Sequence, residues 1–307
     1  SDGMNSDIKN IEHSVRLRLL DVSKKRKVDF QFCLTHYALE RFLYRLSKSI
    51  HAEKFILKGA LLLMSWTNET YRPTRDLDLL GYGDATPDNL RTMITEICLS
   101  EVEPDGLVFY TDSLIIEEIR EDLDYDGYRV KIPVYLGKVR IPIQIDIAFG
   151  DAISPQLGIL KYPSLLDLPR ALVSTYPKET VVAEKLQAAV VLGIRNSRMK
   201  DFFDLLWLSR LFPFDSKALA TSIQTTFKRR RTELPATRPL ALTEDFASDP
   251  AKQAQWRAFL SKNDISYVSV DFKQVISKLD SFLTIPIKHT AETEAPEMVW
   301  KPGGPWK

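Results

Sequence analysis

Three aspartates carry the chemistry this sequence could perform: Asp76 and Asp78, two positions apart in Arg75-Asp76-Leu77-Asp78-Leu79-Leu80, and Asp146 within Ile145-Asp146-Ile147. Phosphoryl or nucleotidyl transfer needs cations that neutralise a polyphosphate and activate an attacking hydroxyl, and such hard cations take carboxylate oxygens. Residues i and i+2 of a strand share one face about 7 Å apart, near enough to hold two ions separated by about 3.5–4 Å. An Asp-x-Asp alone says little, because such pairs are common at strand ends and in turns. Its surroundings say more. Lys58-Gly59 precedes the pair by a helix's length, where backbone amides at a helix N-terminus can approach phosphate oxygens. Asp146 lies far along the chain, and only a fold can bring it to the other two.

The elements that must position these residues are legible in the period of the apolar positions. Lys54-Phe55-Ile56-Leu57, Lys58-Gly59 and Ala60 to Met64 read as a strand, a glycine turn and a buried helix. Arg75 to Leu80, closed by Gly81 and Gly83, is a second strand. Pro87 to Leu99 is a helix with Ala85 or Thr86 near its start. Further strands are expected over Leu107 to Ile119, Tyr128 to Leu136 and Val139 to Phe149. In the last, Ile141, Ile143, Ile145, Ile147 and Phe149 alternate with Pro142, Gln144, Asp146 and Ala148, so Asp146 points away from the isoleucine face. Two helices are expected between Glu12 and His51, and helices again over Val181 to Ile194 and Lys200 to Leu211. From Phe214 the chain is mostly helical, with a Pro/Thr-rich break at Pro235 to Thr243 and a Pro/Gly-rich tail after Pro286. There is no internal repeat. The fold class is therefore α/β (α+β): residues 1–155 form a mixed-sheet domain preceded by helices, and residues 156–307 a helical domain. Ser1-Asp2-Gly3 before Met4 are set aside as an expression scar.

The chain has 307 residues, 44% of them hydrophobic, enough for a sizeable core in one large or two modest domains. Lys plus Arg (42) and Asp plus Glu (41) nearly cancel, so the overall charge does not advertise a dedicated nucleic-acid binder. Any basic surface must be local. Lys24-Lys25-Arg26-Lys27 and Lys228-Arg229-Arg230-Arg231 qualify, although such runs are more often solvated helix faces. Cys33 and Cys98 are the only cysteines. They imply neither a disulfide framework nor a cysteine-rich zinc site, and a reducing cytoplasm fits them best. No apolar run approaches the roughly 20 residues of a membrane span, so no membrane partner is expected. The chain lacks a GxSxG, a Walker lysine loop and a dinucleotide fingerprint, which argues against the enzymes that use them.

A glycine motif, an Asp-x-Asp and a distant third Asp are the arrangement of the polymerase-β-like nucleotidyltransferases. Within that superfamily the sequence resembles the AbiEii/AbiGii toxin family, which includes the MenT toxins. The resemblance rests on Phe55-Ile56-Leu57-Lys58-Gly59-Ala60-Leu61-Leu62-Leu63, on Arg75 to Leu79, and on Ile145-Asp146-Ile147-Ala148-Phe149-Gly150. Two helical blocks complete it, Thr180-Val181-Val182-Ala183-Glu184-Lys185-Leu186 and Arg198-Met199-Lys200-Asp201-Phe202-Phe203-Asp204-Leu205. Together these span about residues 50 to 210 in the family's order. One departure stands out: Gly59-Ala60 replaces the usual Gly-Ser or Gly-Gly, so a hydroxyl that could contact a phosphate is missing and backbone amides must suffice.

The resemblance implies a metal-dependent enzyme that moves a nucleoside monophosphate from a nucleoside triphosphate to an acceptor hydroxyl, releasing pyrophosphate. It would be the toxin of a toxin–antitoxin pair, with a cognate antitoxin as partner and tRNA as the acceptor by analogy with the MenT toxins. Asp76, Asp78 and Asp146 would hold two Mg2+, with Mn2+ as the substitute, and Lys58, Gly59, Ala60 and Arg75 would face the nucleotide. Lys185, in the helical domain completing the cleft, would be a compact point charge on the triphosphate. Asp201 could hold Lys185 or Arg198 in place, and Asp204, three residues on, lies near the same helix face and joins the nucleotide side. A lysine and two aspartates on helices could equally be surface salt-bridge partners. Two other functions use the same residues. A metal-dependent nuclease would need the carboxylates but not Lys58-Gly59 or Lys185. A catalytically silent nucleotide-binding module would tolerate Gly59-Ala60 but has no use for all three aspartates.

Overall fold

The computed structural model describes residues 2–67, 74–83, 85–120, 126–150 and 157–307. They form two compact units, Ser1–Thr175 and Tyr176–Lys307. The expected boundary near residue 155 falls outside the described residues, and two strands that the sequence reading assigned to the helical half complete the sheet of unit 1.

Unit 1 begins with α1 (Asp2–Arg26) and α2 (Phe30–Lys48), followed by β1 (Phe55–Lys58), α3 (Gly59–Ser65), β2 (Asp76–Tyr82) and α4 (Pro87–Cys98). The strands β3 (Leu107–Phe109), β4 (Ile115–Arg120), β5 (Asp126–Leu136), β6 (Val139–Gly150), β7 (Gly158–Lys161) and β8 (Leu172–Thr175) follow. The expected long strand from Leu107 to Ile119 is broken into β3 and β4 by a 3-10 turn at Thr111–Ser113. Among the described residues the sheet has eight strands in the order β3-β5-β6-β2-β1-β8-β7, with β4 pairing β5 beside β3. β1 and β8, and β2 and β6, run parallel; β1–β2, β5–β6 and β7–β8 are antiparallel. β7 and β8 escape a periodicity reading because each is four residues long and β7 is largely exposed.

The sheet buries one face. Ile141, Ile143, Ile145 and Ile147 of β6, Val130, Ile132 and Val134 of β5, and Leu77 and Leu79 of β2 are all at most 2% exposed. α2 lies on that face: its Phe42 meets Phe109, which is in register with Val134. α4 starts as its sequence requires, with the Thr86 hydroxyl accepting from the Asn89 backbone N–H and Pro87 in the first turn. Buried charges on α2 are matched: Arg45 grips Asp105 at 2.6 Å, and Glu40 takes Arg41 at 2.7 Å and the Leu165 N–H.

Unit 2 contains α5 (Lys178–Leu192), α6 (Met199–Leu211), β9 (Phe214–Asp215), α7 (Ser216–Arg229), α8 (Glu244–Ser248), α9 (Pro250–Lys262), α10 (Phe272–His289) and β10 (Val299–Trp300). Its core is aromatic, with Phe202 and Phe203 of α6 packed among Phe246, Trp256 and Phe272. Pro286 sits inside α10 and does not end it. The tail after that helix folds back: Trp300 and Trp306 pack on Phe282 and donate to the Ser209 and Phe282 carbonyls at 2.7 and 2.9 Å. No helix among the described residues is long and apolar enough to cross a membrane.

Candidate active site

The alternation that buries Leu77 and Leu79 puts Asp76 and Asp78 together on the opposite, half-buried face of β2. The parallel register sets Asp78 beside Asp146 and Asp76 beside Gln144. On its other side Asp78 is paired with Lys58 of β1. Asp146 is paired with Arg129 of β5, and Arg129 with Glu117 of β4. Directly paired residues point to the same face, so Lys58, Asp78, Asp146, Arg129 and Glu117 form one row across five strands. Like charges directly opposite one another are destabilising, so the adjacent carboxylates at the centre of this row call for positive charge.

One source is Arg129, which sequence reasoning passed over. Its Nε donates to Asp146 Oδ1 at 2.9 Å and its Nη2 to Oδ2 at 3.1 Å. A usable signal was present: Gly137-Lys138 is a two-residue turn that pairs Leu136 with Val139, and counting back along both strands places Arg129 opposite Asp146.

Gly59 is the other fixed point. Its φ of +72° is a left-handed conformation, and a Cβ there would lie 2.8 Å from Asp78 Cβ and collide with the carboxylate. Only glycine lets the β1–α3 turn close against Asp78. Ala60 is 1% exposed, so its methyl belongs to the core and its backbone N–H is what it can offer a ligand. Arg75 is exposed immediately before β2. The chain entering β2 is also held by His36, whose Nε2 donates to the Thr74 carbonyl at 2.7 Å. Burial lowers the His36 pKa, aided by the charges of Arg26 and Arg75 and opposed by that hydrogen bond.

Among the described residues no three His, Cys, Asp or Glu side chains are gathered as a group that could hold a metal ion. The chemistry of the donors nevertheless suits a hard divalent cation, since Asp76, Asp78 and Asp146 offer only carboxylate oxygens from one face of two neighbouring strands. Both Asp146 oxygens are engaged by Arg129.

Unit 2 gathers the remaining residues into a second group. Lys185 of α5 lies 3.0 Å from Asp201 Oδ1 and 3.1 Å from Asp204 Oδ2 of α6, and Arg198 takes Asp201 Oδ2 at 2.9 Å. Asp201 therefore holds both Lys185 and Arg198. The Lys185 side chain is 17% exposed and flanked by the buried Val182, Ala183, Leu186 and Ala189, unlike a solvated helix lysine. Burial pushes the Asp201 carboxyl up, but the charges of Lys185 and Arg198 outweigh it and hold it below the usual range. Asp204 is fully enclosed, and burial drives its carboxyl well above that range. The basic run at the end of α7 is structural in its middle: Arg229 and Arg230 both reach Glu184, the neighbour of Lys185, at 3.0 and 3.3 Å.

Two solved structures from Helicobacter pylori are similar to the chain at 16% identity. One is JHP933, with a TM-score of 0.48 over 84% of this chain and 93% of that one. The other is named as a candidate nucleotidyltransferase, with a TM-score of 0.49 over 86% of this chain and 98% of that one. No match was found among curated proteins. The family model described as "Nucleotidyl transferase AbiEii toxin, Type IV TA system" matches residues 41–277, well over half the chain, including Lys58, Asp76, Asp78, Arg129, Asp146, Lys185 and Asp201. The chain belongs to the AbiEii family of nucleotidyltransferase toxins.

Proposed function

We propose that this protein transfers a nucleoside monophosphate from a nucleoside triphosphate to a hydroxyl of an RNA, with tRNA as the acceptor class, in a reaction that depends on divalent metal. The observation that carries this reading is the strand register that sets Asp78 beside Asp146, with Asp76 on the same face and Gly59 closed against Asp78. In the reaction the acceptor oxygen attacks the α-phosphorus, the bond from that phosphorus to the bridging oxygen breaks, and pyrophosphate departs. Asp76, Asp78 and Asp146 would hold Mg2+ or Mn2+, two ions in all. Bound there, such ions supply neutralisation of the triphosphate and activation of the acceptor hydroxyl.

The chain's own groups divide the remaining work. Asp146 assists removal of the acceptor proton. Lys58, Arg75 and the amides of Gly59 and Ala60 bind the nucleotide's phosphates. Lys185 binds the charge that accumulates on the departing pyrophosphate, positioned by Asp201. Asp204, enclosed on Lys185, serves the nucleotide through that lysine. Family membership supports a cognate antitoxin as the partner and the cytoplasm, where triphosphates and tRNA meet, as the place of action.

The test is incubation of the protein with each α-labelled triphosphate, Mg2+ and total bacterial RNA. Label on tRNA-sized bands that is lost with Asp78→Ala supports the reading. Fragmented RNA without label would show a nuclease, and the absence of both would leave a binding module.

A further inference from the structure

The row that carries Asp78 and Asp146 is one line of an open sheet face, and the alternation of β5 and β6 extends that face well past the carboxylates. On β6 it holds Gln144 and Arg140 with Asp146, and on β5 it holds Lys131 and Tyr135 with Arg129. Tyr135 is in register with Arg140, and Lys131 with Gln144. Tyr110 joins from the end of β3, where its backbone N–H donates to the Pro133 carbonyl at 2.9 Å and continues the β3–β5 ladder. The Tyr110 and Tyr135 rings meet edge-on, with centroids 4.8 Å apart. An edge-on pair holds both rings without laying one flat on the other, so aromatic surface stays available, and Tyr110 is 48% exposed. Lys131 and Arg140 are exposed as well. The opposite face of the same strands is core: Ile132, Val134, Ile141 and Ile143 are all at most 2% exposed.

Two tyrosines beside two cations are the chemistry that an unpaired nucleic-acid strand asks for, because its bases stack on aromatic rings and its phosphates take positive charge. A duplex hides its base faces and could use only the cations. Lys131 is held by Glu117 at 3.3 Å, but both side chains are nearly half exposed, and a pair of that kind is weak enough for a phosphate to compete. Arg140 stands six positions before Asp146, which is about 20 Å along the strand and the length of about six stacked nucleotides. Resting on the transfer to an RNA hydroxyl read above, we propose that this end of the open sheet face is the platform for the acceptor. An unpaired RNA segment lies along β5 and β6, its bases on Tyr110 and Tyr135 and its phosphates on Arg140 and Lys131, and it leads to the reacting hydroxyl at Asp146.

The experiment is fluorescence anisotropy of a labelled single-stranded RNA of mixed sequence, about ten nucleotides long, titrated with the full chain in the absence of triphosphate and metal. The same RNA annealed to its complement is the control, and circular dichroism verifies folding. Tyr110→Ala and Tyr135→Ala should each weaken single-strand binding on the order of tenfold, whereas Tyr135→Phe keeps it, because stacking needs the ring and not the hydroxyl. Arg140→Gln should weaken binding and flatten its dependence on salt. The duplex should bind more weakly and respond to neither tyrosine. If Tyr135→Ala does not fold, Tyr110→Ala carries the comparison from its exposed position. Wild-type affinity in Tyr110→Ala, or no single-strand binding by the wild type at about 100 μM protein, would overturn the proposal. So would an equal loss for duplex and single strand, which would be an electrostatic or structural effect. If Tyr110→Ala instead abolishes self-association and leaves RNA binding unchanged, the face is a contact between copies and the proposal fails. The two layers separate in the transfer assay. Binding through the tyrosines without any attachment of α-label to RNA would remove the transfer reading and leave the platform as a binding site, whereas labelling with an unchanged KM for RNA in Tyr110→Ala would keep the transfer reading and remove the platform.

Discussion

Single residues decide what the centre of the sheet can do. Asp76→Ala and Asp78→Ala should each abolish nucleotidyl transfer without unfolding the protein, because each removes a carboxylate from the half-buried face of β2 and leaves the Leu77–Leu79 face untouched. Near-normal transfer by either variant in a gel assay would contradict the shared-metal account. Asp146→Asn should lose transfer while keeping nucleotide binding, and also forfeit its pair with Arg129. At that partly exposed position the pair is worth about 1 kcal/mol or less. Gly59→Ala is the sharpest residue-scale change. A left-handed backbone costs a residue with a Cβ roughly 1–2 kcal/mol, and the added methyl would displace the Asp78 carboxylate besides. Urea denaturation should show a loss of at least that size together with lost transfer. Unchanged stability would mean that the turn adopts another conformation. The glycine and the three aspartates were legible from spacing and alternation. Arg129 was not singled out, because its significance comes from register, which needs both strands and the turn between them to be read together.

At the scale of elements, α5 and α6 hold Lys185 for use, and their two aspartates have opposite characters. Asp201 balances Lys185 and Arg198, so Asp201→Asn leaves two cations short of a partner and should cost on the order of 3–5 kcal/mol, as when one member of a buried pair is removed. Burial raises the Asp204 carboxyl, whereas two cations hold that of Asp201 low, so Asp204→Asn should cost less than Asp201→Asn. Denaturation of the two variants side by side gives the order, and a larger loss for Asp204→Asn would contradict it. The depressed Asp201 pKa adds stability that is present above the unfolded carboxylate value of about 3.9 and is lost as pH falls through the folded one. Lys185→Ala should lower transfer on the order of a hundredfold, the effect of removing one preorganised charge stabiliser, with Lys185→Arg restoring only part. A loss under about threefold would return Lys185 to a structural role.

The entry to β2 has its own pH dependence. The folded protein favours neutral His36, so the stability it contributes is complete above the unfolded value of about 6.5 and falls as pH drops below it. Melting curves between pH 7.5 and 5.5 should show that slope in wild type and a shallower one in His36→Gln. Equal slopes would remove His36 from the account. Helix and strand placement was largely legible because α2, α4, β5, β6 and α6 are long and strongly periodic. The misses were local: β3 and β4 were read as one strand across a tight turn, and β7 and β8 were too short to show a period.

For the molecule as a whole, the sequence separates a sheet-bearing unit from a helical one, and the structure moves that division to Thr175–Tyr176. The displacement follows from β8, which pairs in parallel with β1 and so returns the chain to the strand next to Asp78 before unit 2 begins. Such a return is a long-range pairing that no window of sequence contains. The Pro/Gly-rich tail packs Trp300 and Trp306 on Phe282 of the unit 2 core. Family membership gives the class of reaction, and the proposal assigns acceptor activation to the carboxylate row of unit 1 and pyrophosphate release to Lys185 of unit 2. The most direct measurement of that claim follows the fate of the two ends of the triphosphate in parallel reactions with RNA and Mg2+, one labelled at the α-phosphate and one at the γ-phosphate. The account predicts that α-label becomes covalently attached to RNA, that γ-label appears as pyrophosphate in equal amount, and that both events vanish with Asp78→Ala. Transfer of γ-label to the acceptor, or cleavage of the RNA with the triphosphate left intact, would contradict it.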